Sequence, residues 1–222
     1  MRRIMARVLI ILAALSAAAF AQQGATGTFT DSRDGQTYRT VRIGNQTWMA
    51  ENLNYDVPDV STDVCYNNNP TSCNTYGRLY DWATVMGLPS TCNSNTCASQ
   101  VQTRHQGICP AGWHVPSDAE WTALINFVGG ESTAGTKLKY WSGWNTSGGY
   151  IPGTNDYGFS ALPGGYWWSG SFFNVGGYGN WWSATEYGAT RARYRYMIYD
   201  ASDVYRSNLT KTCRFSLRCI QN

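Results

Sequence analysis

The stretch from Cys109 to Trp121, reading CPAGWHVPSDAEW, constrains this chain more than any other. Pro110 and Gly112 punctuate a turn, and Pro116 pushes Val115 into extended backbone. Ser117 is placed to cap a helix, and Glu120, three residues on, completes a capping box. Trp121, Leu124, Ile125 and Val128 then share one helical face, and Gly129-Gly130 end it. A cysteine, a turn, a short strand and a capped helix joined this closely mark a folded domain.

The N-terminus reads differently. Arg2, Arg3 and Arg7 precede an apolar run from Val8 to Leu15, and Ala19-Phe20-Ala21 fits a small-x-small cleavage site, so residues 1–21 are expected to be a signal peptide. No later stretch is apolar enough to span a membrane, so the mature chain is expected to carry no transmembrane segment. The sequence holds 17 Lys+Arg against 14 Asp+Glu. Removing the three leader arginines leaves 14 of each, so the mature charge is near zero. No basic run tracks a phosphate backbone, and nucleic acid is not expected as a partner.

Behind an export signal, the seven cysteines read as disulfides. Cys65–Cys73 and Cys92–Cys97 are expected to close two small polar loops. In the last strand Cys213, Phe215, Leu217 and Cys219 alternate onto one inner face. Cys109–Cys219 is the favoured third pair, leaving Cys213 as a buried free thiol; Cys109–Cys213 is its rival. With two histidines and no Cys-x2-Cys pair, zinc is not expected.

Along the chain, residues 22–30 read as a flexible leader and 31–222 as one domain. Thr37–Ile43 and Gln46–Ala50 form a hairpin about Gly44-Asn45. Residues 56–75 and 88–107 read as polar loops, with a short helix over Arg78–Met86 between them. Helices follow at Ser117–Val128 and near Ala134–Leu138. A Gly-rich stretch from Trp141 to Gly165 leads into strands at Tyr166–Phe173, Trp181–Thr185, Arg191–Tyr199, Val204–Arg206 and Thr212–Ile220. Strands, then helices, then a meander give an α+β class rather than alternating βαβ.

Six ordered motifs carry a resemblance. They are DGQTY (34–38) leading to WMAENL (48–53), YGRLYDW (76–82), CPAGWH (109–114), GFSALPGG (158–165), WWSATE (181–186) and FSLRC (215–219). In this order they resemble the Fibrobacter succinogenes major paralogous domain family, FISUMP, over about residues 31–220. The resemblance implies a secreted or cell-surface protein with a C-type lectin-like fold: a mixed, mainly antiparallel sheet, two main helices, long disulfide-stapled loops and termini brought together. A terminal Cys109–Cys219 disulfide fits that architecture. Adhesion to plant cell-wall polysaccharide is the role it suggests, and it implies no settled activity. Cys213 has no place in the motif set.

The residues do not point to catalysis. Glu51, Asp81, Glu120 and Glu186 could supply a glycosidase pair, but none sits in a motif tied to that chemistry. There is no Gly-x-Ser-x-Gly. The Glu-Pro-Asn, Gln-Pro-Asp and Trp-Asn-Asp tripeptides of calcium-dependent lectins are absent, so no metal or cofactor is expected, although Asp31, Asp34, Asp200 and Asp203 could ligate a cation. Arg191, Arg193 and Arg195 alternate as on a solvated strand edge. Trp48, Trp82, Trp113, Trp121 and one of Trp181 and Trp182 are expected in the core. The ligand-binding candidates are Trp141, Trp144, Tyr150, Tyr157, Tyr178 and Tyr187, rings in Gly-rich loops that can stack on sugar faces. The sequence therefore reads as a non-catalytic secreted module that binds an extracellular polysaccharide or a surface protein. A structural surface or fibre subunit is the alternative, and a cell-wall hydrolase the third reading.

Overall fold

Residues 26–222 are described by a computed structural model of the chain. The expected signal peptide and residues 22–25 lie outside the described residues. Residues 26–30 do not continue a leader. They form β1 (Thr26–Thr30), which pairs antiparallel with β2 (Thr37–Ile43) along its whole length. Its Thr, Gly and Phe residues are compatible with an edge strand, and Phe29 packs on Trp113 with ring centroids 5.3 Å apart.

β2 turns through Gly44-Asn45 into β3 (Gln46–Met49), as the sequence predicts. Gly44 has φ 60°, and a Cβ there would sit 2.9 Å from the Phe127 ring, so both turn geometry and packing require glycine. β4 (Asp63–Val64) pairs with β5 (Leu79–Tyr80), and a 3₁₀ turn at Tyr66–Asn68 leads into α1 (Pro70–Tyr76). The stapled 56–75 segment is therefore partly helical: Asn69 caps α1 through Thr71 N–H, and Pro70 takes the first-turn position where no amide is needed. Only Trp82–Val85, α2, is helical within the expected Arg78–Met86, because Asp81 caps it and Leu79-Tyr80 belong to a strand. Two further 3₁₀ turns, Ser90–Asn93 and Ala98–Gln100, fill the second loop.

β6 (Trp113–His114) precedes α3 (Asp118–Phe127), whose capping box is formed between Ser117 and Glu120. α4 (Glu131–Leu138) follows. β7 (Tyr166–Trp168) and β8 (Ser171–Phe173) make a hairpin. β9 (Tyr178–Gly188), β10 (Arg191–Ile198) and β11 (Tyr205–Thr210) make a meander, and β12 (Ile220–Gln221) ends the chain. The sheets run β1-β2-β3-β12-β6 and β11-β10-β9, with β4-β5 and β7-β8 as separate pairs. The class is α+β and the ladders are antiparallel, with parallel pairing confined to single bridges such as Lys139 with Ala161.

The segment Thr212–Ile220 alternates like a strand but is not one ladder. Phe215 bridges Tyr80, Arg214 bridges Trp167, Ser216 bridges Trp181, and Ile220 pairs with Trp48 and His114. It threads between the sheets and sutures them. Neighbouring side chains on extended backbone point to opposite faces, and here both faces are interior. Met49, Trp182, Leu217 and Cys219 enter one cluster with Tyr80 and Trp82. Trp48, Trp181 and Ile220 enter a second with Trp121, Leu124 and Ile125. Trp181 and Trp182 are therefore both core residues, not one of the two.

The disulfides are Cys65–Cys73, Cys92–Cys97 and Cys109–Cys219, and Cys213 is a buried free thiol. Among the described residues no helix is long and apolar enough to cross a membrane.

Candidate functional site: a polar groove beside an exposed indole

A groove of about 490 Å³ opens where β2, the chain after β3, the end of α1 and Arg218 meet. Its wall is polar. Arg39 Nε donates to Glu51 Oε1 at 3.0 Å, and the Arg39 amide donates to Glu51 Oε2 at 2.8 Å. Asn52 Nδ2 donates to the Tyr76 carbonyl at 2.8 Å. Its Oδ1 accepts from Trp181 Nε1, Arg218 Nε and Arg218 Nη2. The Asn54 amide donates to the Tyr38 hydroxyl at 3.0 Å. Burial pushes the Tyr38 phenol up to about 12, so it stays protonated. Gln36, Asn74 and Thr75 add further amide and hydroxyl groups.

Arg218 lies at the floor, buried, with its guanidinium 4.2 Å from the Phe159 ring centroid. It donates to the carbonyls of Phe159 and Ser160 as well as to Asn52. Burial lowers its pKa to about 9. The donors, acceptors and one buried cation suit recognition of a polar ligand. No nucleophile–base pair lines this groove.

Tyr140 forms part of the groove wall, and Trp141 stacks on it with centroids 4.1 Å apart and planes 29° apart. Trp141 is 59% exposed. Tyr140 braces the indole, and more than half of the Trp141 surface is open to solvent. A ring fixed in this way is a platform for the apolar face of a sugar.

The other predicted rings do not join Trp141 on one surface. Trp144 is a correction: it is buried, donates Nε1 to the Ala161 carbonyl at 3.2 Å and lies under Lys139 Nζ, 5.3 Å from the ring. Tyr157 is a second correction, buried against Phe127 at 6.1 Å. The Gly-rich loop has an inner side, and these rings fill it. Tyr150 is half-buried on the second cluster. Tyr178 is half-buried beside Tyr196, and Tyr187 is exposed under the Arg193 guanidinium at 4.1 Å.

Arg195 is likewise no solvated edge residue. β10 is the central strand of its sheet, and Arg195 is buried against Asp118 at 2.9 Å and Glu131 at 3.2 Å. Sequence reasoning missed the tyrosine ladder of Tyr194, Tyr196 and Tyr205, stacked at 5.5 and 4.8 Å. It also missed the β7–β8 hairpin as an aromatic projection, with Trp168 48% exposed at its tip. Composition held the signal: YWWSGSFF packs five rings around one turn.

The four carboxylates singled out from the sequence have structural duties. Asp81 caps α2 and Glu51 pairs with Arg39. Glu186 Oε1 accepts from Lys211 Nζ at 2.5 Å and from the Cys97 amide at 2.9 Å. Glu120 bonds His114 Nε2 at 2.8 Å and the Ser117 amide and hydroxyl. Glu120 and Glu186 do line a common cavity of about 530 Å³. Burial works to raise the Glu120 pKa, but the hydrogen bonds of His114 and Ser117 outweigh it and hold the carboxyl below the usual carboxylate range. That is the wrong direction for a general acid. Asp31 is committed to Arg33 at 2.6 Å. Burial pushes the Cys213 thiol up to about 12, far from a reactive thiolate.

The family model described as the Fibrobacter succinogenes major domain matches residues 41–221 of this chain. No curated protein and no solved structure matches it significantly.

Proposed function

We propose that this chain, which belongs to the Fibrobacter succinogenes major domain family, acts as a non-catalytic glycan-binding module outside the cell. The carrying observation is the conjunction of a polar groove with Trp141, a solvent-open indole braced on the groove's own wall residue Tyr140. Sugars offer apolar ring faces and dense hydroxyls, and this pairing supplies a partner for each. Four of the six motifs contribute lining residues to the groove. Asn52 and Arg218 come from two of them and serve as wall and floor.

Three disulfides support an oxidising, extracellular setting. A C-type lectin-like arrangement is the finer fold reading. Its support is the pairing of the C-terminal β12 beside the N-terminal hairpin and the Cys109–Cys219 tie. The test is retention of the purified protein on insoluble cellulose, xylan and chitin. Binding to one of them above a no-matrix control supports the reading, and passage through all three removes its basis.

A second reading, a structural surface subunit, is favoured by one observation. The β7–β8 hairpin projects Trp168 with Tyr166, Trp167, Phe172 and Phe173 only partly covered. Self-association seen by ultracentrifugation and lost in Trp168→Ser would favour it.

A further inference from the structure

Among the described residues four cationic side chains are fully buried: Lys139, Arg195, Lys211 and Arg218. A buried charge is expensive unless it is paired. Arg195 meets Asp118 and Glu131, and Lys211 meets Glu186. Lys139 spends its three protons on the carbonyls of Ile151, Ile198 and Ala201. Arg218, like Lys139, meets only neutral oxygens, but it alone of the four lines the groove. Its acceptors are the neutral carbonyl oxygens of Asn52, Phe159 and Ser160. Among the described residues it forms no ion pair.

A guanidinium carries five N–H groups, and these contacts engage four of them. One Nη1–H of this buried cation therefore has no acceptor among the described residues. The same groove holds a buried acceptor, Asn54 Oδ1, that has no donor among the described residues. Glu51 acts on Arg218 through its charge alone: its two oxygens accept from Arg39, and it makes no hydrogen bond or ion pair with Arg218. The groove thus combines a floor cation that has no ion pair and a wall acceptor that has no donor, among the described residues, with the neighbouring Trp141 ring.

We infer that the groove takes a uronic acid residue of an acidic polysaccharide, with its carboxylate toward Arg218, a ring hydroxyl toward Asn54 and the chain continuing over Trp141. The inference rests on the glycan-binding reading and narrows it. A neutral sugar supplies the hydroxyl and the ring face but not the anion. A simple carboxylate supplies the anion without the ring.

The test is calorimetric titration of the purified protein with a galacturonic acid trimer and a glucuronic acid-bearing xylan oligomer. Each is compared with its methyl ester and with neutral oligosaccharides of equal length. At least one acid should bind about tenfold or more tightly than its ester, the size expected of a charge-assisted hydrogen bond. Asn54→Ala keeps the backbone bond to Tyr38, so the fold is retained. It should weaken the acid about fivefold, the value of one ordinary hydrogen bond. Equal affinity for acid and ester, or for acid and neutral oligomers, overturns the uronate inference and leaves glycan binding standing. An Asn54→Ala protein that binds the acid as well as the wild type overturns its placement in this groove. Absence of binding to every oligosaccharide, acidic and neutral, overturns both readings.

Discussion

The indole Nε1–H of Trp181 donates to Asn52 Oδ1 over 2.8 Å, joining positions 129 residues apart in the chain. The same oxygen holds two nitrogens of Arg218, and the Asn52 amide holds the carbonyl of Tyr76. One side chain thus ties four family motifs together. Asn52→Ala leaves an indole and a guanidinium short of acceptors in the interior. The expected loss is roughly 3–5 kcal/mol, since each unsatisfied buried donor costs about 1–3 kcal/mol and charged ones more. Urea unfolding midpoints measure it.

The disulfides should rank by the loops they close. Cys109–Cys219 spans 110 residues, whereas Cys65–Cys73 and Cys92–Cys97 span 8 and 5. In the chain-entropy account, removing the long tie costs about 4–5 kcal/mol and either short one about 2 kcal/mol. Paired Cys→Ser variants followed by denaturant unfolding give the order. In the intact protein Cys213 should resist alkylation near neutral pH until denaturant is added, and then take up one label, because its thiol is buried and its pKa is pushed up to about 12.

Acid stability should carry a contribution from Glu120. Its carboxyl is held below its ordinary value in the folded protein by the bonds to His114 and Ser117. A depressed carboxyl stabilises the fold above its unfolded pKa and loses that contribution as pH falls through the folded value. Between about pH 5 and pH 3 the wild type should therefore lose more stability than Glu120→Gln, which has nothing to titrate there. Asp31 and Asp63 titrate in both proteins and cancel in the comparison. Equal losses in the two proteins would contradict the assignment.

Trp141 and Trp144 stand three positions apart in one loop and should behave oppositely. Trp144→Ala empties a buried site and should cost about 3–5 kcal/mol. Trp141→Ala removes an exposed ring and should change stability by less than about 1 kcal/mol. Thermal and urea unfolding of the pair read this directly.

The parts of the fold legible in the sequence are those fixed locally. The Ser117–Glu120 box and the Gly44-Asn45 turn draw on neighbours in the chain, and both form. Burial of both Trp181 and Trp182, burial of Arg195 and the suturing path of Thr212–Ile220 depend on partners far away in sequence. No periodicity reports whether a strand has one interior face or two. The groove was hidden for the same reason. Gln36, Asn54, Asn74, Tyr140 and Arg218 lie on five separate segments that only the fold assembles. Trp141 was legible because a large ring in a Gly-rich loop has few local partners. Trp144 and Tyr157 met that criterion too, and were taken inside by packing that the criterion does not register.

The central claim is that glycan is bound at the groove and the Trp141 platform. Its most direct measurement is retention of wild type, Trp141→Ala and Trp168→Ala side by side on the polysaccharide that the wild type binds. Retention should fall at least about tenfold for Trp141→Ala, the loss of a stacking contact worth roughly 1.5 kcal/mol, and should stay at the wild-type level for Trp168→Ala. Retention kept in Trp141→Ala and lost in Trp168→Ala would contradict the account and move the site to the β7–β8 hairpin.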